Sequence, residues 1–129
     1  MPNKLTRILY VEDEPDIRTI AKLALETLGG FTVALCSSGD EALQQAPAFQ
    51  PQLILLDVMM PGKDGPSTLK MLRALPQFAD TPVIFMTAKV QPGEIAGYKA
   101  IGAIDVIPKP FDPMTLSGQV QEIWSRCHD

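Results

Sequence analysis

Residues 53–65 read LILLDVMMPGKDG. The four aliphatic residues from Leu53 to Leu56 form a continuous apolar run, as expected for a strand buried on both faces. The run ends on Asp57, whose charge is costly to take out of water. Val58, two methionines and the Pro61-Gly62 turn come next. A strand covered on both faces belongs to a parallel sheet, and each parallel connection needs a crossover, usually a helix. The rest of the chain must then supply further strands and the helices that join them.

Apolar runs and helical patterns do alternate on either side. Leu5–Val11 reads as a first strand and Phe31–Leu35 as a second. Between them Ile17, Ile20, Ala21, Ala24 and Leu28 share one helical face, with Pro15 suited to the first turn and Gly29-Gly30 to the stop. Ser38 followed by Glu41 fits a capping box that opens a second helix. A third helix carries Leu69, Leu72 and Leu75, and Val83–Met86 is a further buried strand. Gln91–Ala100 is a weak fourth helix, because Gly93 and Gly97 both lower its propensity. Ile104–Ile107 is the fifth strand, and Pro108 places it most easily at a sheet edge. Asp112 and Pro113 suit the N-cap and first residue of a last helix, Phe111 its staple onto Leu116, and Leu116, Val120, Ile123 and Cys127 its buried stripe. Trp124 is expected to pack that helix. Five strands alternating with five helices imply a doubly wound α/β fold, a parallel sheet with helices on both faces and right-handed crossovers.

The bulk properties agree. A chain of 129 residues fits one domain with one hydrophobic core, and 46% hydrophobic against 20% charged residues is ordinary for a globular protein. No apolar run approaches the roughly 20 residues of a membrane span, and MPNKLTR is no signal peptide, so residence in the cytoplasm and no membrane partner are expected. Cys36 and Cys127 lack metal-type spacing and are expected to stay reduced in structural roles. His128 is the only histidine and has no neighbour for zinc or general-base work. A net charge of -4 with scattered basic residues argues against nucleic-acid binding by this domain.

Polar residues at the strand ends carry the chemistry. Glu12 and Asp13 come after the first strand, Asp57 ends the third, Thr87 ends the fourth and Lys109 comes after the fifth. Ligands of open α/β sheets bind outside the carboxyl ends of the strands. Three carboxylates against one lysine leave the edge negative, and crowded carboxylates resist ionisation unless a cation joins them. Oxygen ligands with retained water suit Mg²⁺. For Asp13 and Asp57 to share one ion the first and third strands must be neighbours, which gives strand order 2-1-3-4-5, the flavodoxin-like arrangement.

VEDE after the first strand, LLDVMMPGKDG after the third, FMTA after the fourth and PKPF after the fifth stand in this order along the chain. Each is short, but together they are specific. The sequence resembles the response-regulator receiver domains of two-component signal transduction, the CheY-like family, over essentially all of residues 1–129. The resemblance implies that Asp57 accepts a phosphoryl group from a sensor histidine kinase or a histidine phosphotransfer protein. It further implies that Asp13, Asp57 and the backbone carbonyl of Met59 hold Mg²⁺, with Glu12 acting through water. Lys109 would pair with Asp57 and then with the phosphoryl oxygens, Thr87 would turn its hydroxyl toward them, and small Ala88 would leave room. Lys109-Pro110 is expected to be cis. The face made by the fourth helix, fifth strand and fifth helix would bind a downstream target not identified by the sequence. The domain would be a signalling switch rather than an enzyme, promoting its own phosphorylation and dephosphorylation.

One position departs from the family pattern: Val106 stands where an aromatic residue often rotates with the threonine, and a valine cannot report the switch by a large ring movement. Tyr98 is read as half-buried packing and Lys89 as a solvated charge flanking the site. A haloacid-dehalogenase phosphatase would carry a second acid where Met59 stands, and a flavin phosphate would be repelled by EDEPD. A degenerate, partner-binding receiver fits poorly with a complete set of acids, Thr87 and Lys109. Because the sequence stops just after the last helix, the chain is expected to be a stand-alone regulator or one domain of a longer protein.

Overall fold

The computed structural model describes residues 4–127, so His128 lies outside the described residues. The strands are β1 (Arg7–Val11), β2 (Thr32–Cys36), β3 (Leu53–Asp57), β4 (Val83–Thr87) and β5 (Asp105–Pro108). They alternate with α1 (Pro15–Leu23), α2 (Gly39–Phe49), α3 (Gly65–Arg73), α4 (Pro92–Ala100) and α5 (Leu116–Cys127). All pairings are parallel and the sheet order is β2-β1-β3-β4-β5, with β5 and its Pro108 at an edge. The expected doubly wound fold and switch point are therefore present.

Alternation along the strands builds two cores. Leu53 and Leu55 join Ile8, Tyr10, Ile84 and Met86 on the face covered by Ala21 and Leu25 and by Leu116, Val120 and Trp124 of α5. Ile54 and Leu56 join Leu9, Val11, Val83 and Phe85 on the other face, under Ala42 and Ala46 of α2 and Leu69 and Leu72 of α3. Every residue of β3 is buried, as the opening run requires. Each such leucine is worth about 2 kcal/mol relative to exposure. That burial makes β3 a stiff platform for the residue at its end.

Several local expectations are corrected. The first helix continues as a π turn over Ala24–Leu28, which takes an extra residue per turn and shifts the helical phase. Leu25 is thereby fully buried, while Leu28 is 49% exposed and Ile20, at the margin of the stripe, 45% exposed. The last helix starts at Leu116 rather than Pro113, because Asp112 caps a preceding turn: its Oδ1 accepts from Met114 N at 2.8 Å and its carbonyl from Thr115 N at 3.1 Å. Trp124 completes the buried stripe of α5, and Cys127, its final residue, is exposed. Strand β1 begins at Arg7, since Gln52 Oε1 takes the amides of Thr6 (2.7 Å) and Arg7 (2.9 Å). The Ser38 cap forms, with its hydroxyl accepting from Glu41 N at 3.1 Å, but the Glu41 carboxylate returns to Ser37 N rather than to Ser38.

Candidate functional site

The carboxyl ends of β1, β3, β4 and β5 meet at the switch point. Register places Val11 beside Leu56, Asp57 beside Met86 and Thr87 beside Pro108. Glu12, Asp13, Thr87 and Lys109 therefore flank Asp57. Glu12, Asp13 and Asp57 each offer a carboxylate oxygen within 4.8 Å of the others. Glu12 is fully buried, Asp57 and Thr87 are 2% exposed, and Asp13 is half-buried at the rim.

Lys109 Nζ bridges two of these acids, 2.7 Å from Glu12 Oε1 and 3.3 Å from Asp57 Oδ1. The expected pairing with Asp57 is present, but the shorter contact is to Glu12. Burial pushes the Glu12 carboxyl up to about 7; the hydrogen bond from Lys109 opposes this, and Asp57 adds to it. Burial works against the Lys109 charge too, yet the hydrogen bond to Glu12 and the charge of Asp57 outweigh it, so the ammonium holds its proton more firmly than usual. Glu12 also accepts from Glu14 N at 3.3 Å.

The remaining anticipated residues take distinct places. Met59 N donates to Asp57 Oδ1 at 3.4 Å, and the Met59 side chain is 65% exposed, so it leaves the carboxylates open. Thr87 Oγ1 accepts from Lys89 N at 3.0 Å and so ties the start of the β4–α4 loop. Ala88 is exposed beside it. The Lys109-Pro110 peptide is cis. Val106 is half-buried against the second core, and the Tyr98 ring meets Phe85 edge to face at 5.3 Å.

Sequence reading missed three contributors. Arg18 donates to the Glu12 carbonyl at 2.7 Å and holds the loop that carries the two leading acids. Its signal was faint, a basic residue six positions beyond Glu12. Gly65 opens α3 directly behind the end of β3; a Cβ there would lie 2.6 Å from Asp57 O and 2.8 Å from Val58 Cα. The signal was present in the DG pair, with Asp64 capping Ser67 N at 2.8 Å. Tyr10 lies under the site with a buried hydroxyl that has no hydrogen-bond partner among the described residues, and burial together with the charges of Glu12 and Asp57 raises its pKa.

The donor set is chemically coherent. Three oxygen ligands from carboxylates at the ends of two adjacent strands suit a hard divalent cation. A buried carboxylate beside a fixed ammonium suits attack on an electrophile that carries negative charge.

Comparison with known proteins agrees with this geometry. The family model for the response regulator receiver domain matches residues 8–121. The transcriptional regulatory protein BaeR of Escherichia coli O6:H1 is 37% identical over 123 residues, which cover 94% of this chain and 49% of BaeR. The alkaline phosphatase synthesis transcriptional regulatory protein PhoP of Bacillus subtilis is 38% identical, covering 93% of this chain and 49% of PhoP. The chain thus spans about half the length of these relatives. The structure of the chemotaxis response regulator CheY4 of Vibrio cholerae superposes with a TM-score of 0.85 at 31% identity, covering 93% of this chain and 99% of CheY4.

Proposed function

The chain belongs to the response regulator receiver domains, and from that premise we propose that Asp57 is the phosphoacceptor of a two-component or phosphorelay switch, within a receiver domain running through residues 1–129. The carrying observation is a buried Asp57 on a rigid central strand, clustered with Glu12 and Asp13 and 3.3 Å from Lys109 Nζ. Asp13, Asp57 and the Met59 carbonyl would hold Mg²⁺, with Glu12 acting through water. When bound, Mg²⁺ supplies neutralisation of the carboxylate and phosphoryl charge.

An Asp57 oxygen forms a bond to phosphorus as the bond from phosphorus to the donor histidine nitrogen breaks, and the imidazole leaves with that electron pair. Lys109 transfers its contact from the carboxylates to the phosphoryl oxygens. Thr87 turns its hydroxyl toward them and gives up Lys89 N, freeing the loop that leads into α4. Ala88 leaves room for the phosphoryl group. Water later attacks phosphorus, the bond from phosphorus to the Asp57 oxygen breaks, and inorganic phosphate leaves as the Asp57 carboxylate is restored. The domain is a signalling switch that acts on itself, and we place it in the cytoplasm, where kinases have ATP.

A donor surface adjoins the site. A hollow of about 140 Å³ lined by Ile17, Ile20, Lys109, Phe111 and Pro113 shares Ile20 and Pro113 with one of about 290 Å³ lined also by Leu23, Leu28 and Met114. Leu23 is 64% and Met114 72% exposed. This trough starts at Lys109 and suits the apolar face of a helix that carries a phosphohistidine. The downstream target is assigned to the face of α4, β5 and α5.

Incubation with Mg²⁺ and acetyl phosphate, read by intact mass, tests the assignment. One added phosphoryl group that is absent in Asp57→Ala is the expected result. No mass gain, together with no binding of beryllofluoride, would leave a phosphate-independent binding module as the better account.

A further inference from the structure

Helix α4 is the least anchored element of the fold. None of its residues is fully buried, and Gly93 and Gly97 lie within it. Its side-chain ties to the body include the Tyr98 ring on Phe85 and a pair of Lys99 with Asp105 at 3.9 Å. The turn that ends it is held from outside by Arg73, the last residue of α3.

Arg73 reaches three carbonyls on two different connections. Its Nη1 donates to Phe78 O at 2.8 Å and to Thr81 O at 2.6 Å, both between α3 and β4. Its Nη2 donates to Gly102 O at 3.3 Å, across to the turn between α4 and β5. Gly102 has φ +120°, a conformation that L side chains rarely adopt, and a Cβ there would lie 3.9 Å from Arg73 Nε. The two short bonds fix the guanidinium plane, and that plane presents Nη2 to the α4–β5 turn. A planar five-donor fork can do this and a single ammonium cannot. The bond to Gly102 is the longest and the only one of the three that crosses between connections. It is therefore the one that gives when α4 moves while the other two persist.

We propose that Arg73 is a positioning residue for the switch: it holds the α4–β5 turn in its resting place through Gly102 and so sets how readily the output face rearranges. The inference rests on the proposed release of the loop that leads into α4. It places a regulator of the switch at the opposite end of α4 from Thr87 and outside the phosphoacceptor site. The half-buried Arg73 side chain also lines a groove with Lys70 and Ile101.

Amide exchange on Arg73→Lys tests this, with and without Mg²⁺ and beryllofluoride. Exchange at residues 92–103 is expected to rise about tenfold in the unliganded variant, as loss of one bond to a charged donor implies, with β1 and β3 unchanged. Beryllofluoride affinity is expected to rise several-fold, because the ligand no longer has to displace the resting turn. Exchange that rises equally in every element, or does not rise at residues 92–103, overturns the proposal. A variant that fails to fold is replaced by the wild-type Gly102 carbonyl ¹³C shift. Movement of that shift on beryllofluoride binding supports release of the tie, and an unmoved shift overturns it. If wild-type protein binds no beryllofluoride, the phosphoacceptor reading fails, and the exchange comparison still decides whether Arg73 holds α4.

Discussion

Glu12 and Gly65 show how single residues tune the site. Glu12 goes from an ordinary carboxyl in the unfolded chain, near 4.5, to about 7 in the fold. The folded state thus binds the proton more tightly, and its contribution to stability is full below about pH 4.5 and lost as pH rises through about 7. Metal-free protein is expected to show a falling melting temperature across that window. Mg²⁺ is expected to offset the fall, because a cation among the three carboxylates relieves the crowding once Glu12 ionises. Thermal melts in EDTA and in Mg²⁺, from about pH 5 to about pH 8, check both signs. Gly65→Ala places a methyl against Asp57 O and Val58 Cα, both backbone atoms that cannot swing aside. A loss of about 1–3 kcal/mol in urea unfolding is expected, together with slower phosphorylation, since the strain falls on Asp57 itself.

At the scale of elements the contrast is between β3 and α4. Strand β3 is buried throughout, whereas α4 has no fully buried residue. Elements that move in switching come from the low-stability end of a structure. Gly97 stands inside α4 with nothing within 4 Å of an added Cβ. Gly97→Ala is expected to stabilise the helix by about 0.5–1 kcal/mol and to slow exchange across residues 92–100. It is also expected to shrink the exchange change caused by beryllofluoride, if stiffness of α4 opposes the rearrangement. An unaltered beryllofluoride response beside a raised melting temperature would show that α4 stability does not control the switch.

At the scale of the whole molecule, sheet order decides what can react. Order β2-β1-β3-β4-β5 puts β1 and β4 on either side of β3 and brings Lys109 from the edge strand over Glu12 and Asp57. The same packing sets the π-turned end of the first helix beside the loop before α5 and leaves Ile20, Leu23 and Met114 exposed around one trough. Ile20→Asp is expected to leave stability within about 0.5 kcal/mol and labelling by acetyl phosphate unchanged, because the residue is exposed and outside the carboxylate cluster. Transfer from a histidine phosphoprotein is expected to fall at least about tenfold, the loss of roughly one buried apolar anchor. Equal losses with both donors would place the effect in the site and remove the trough from donor recognition.

Much of this was legible in one dimension. Apolar run length, helical period and the polar residue after each strand are local properties, so the sequence by itself determined the five alternating units, the buried third strand and the residues gathered at its carboxyl edge. Strand order was legible because two aspartates need neighbouring strands to share one cation. Other features depend on distances between segments far apart in the chain. The preference of Lys109 for Glu12, the Arg18 contact to the Glu12 carbonyl, the reach of Arg73 to Gly102 and the closeness of Gly65 to Asp57 were decided only by the tertiary structure. The π turn belongs with them: local spacing described one continuous stripe, and packing of Leu25 into the first core went with a change of helical phase. Short-range pattern specifies which elements form and which faces they bury, whereas long-range packing selects which of several polar partners each buried charge finds.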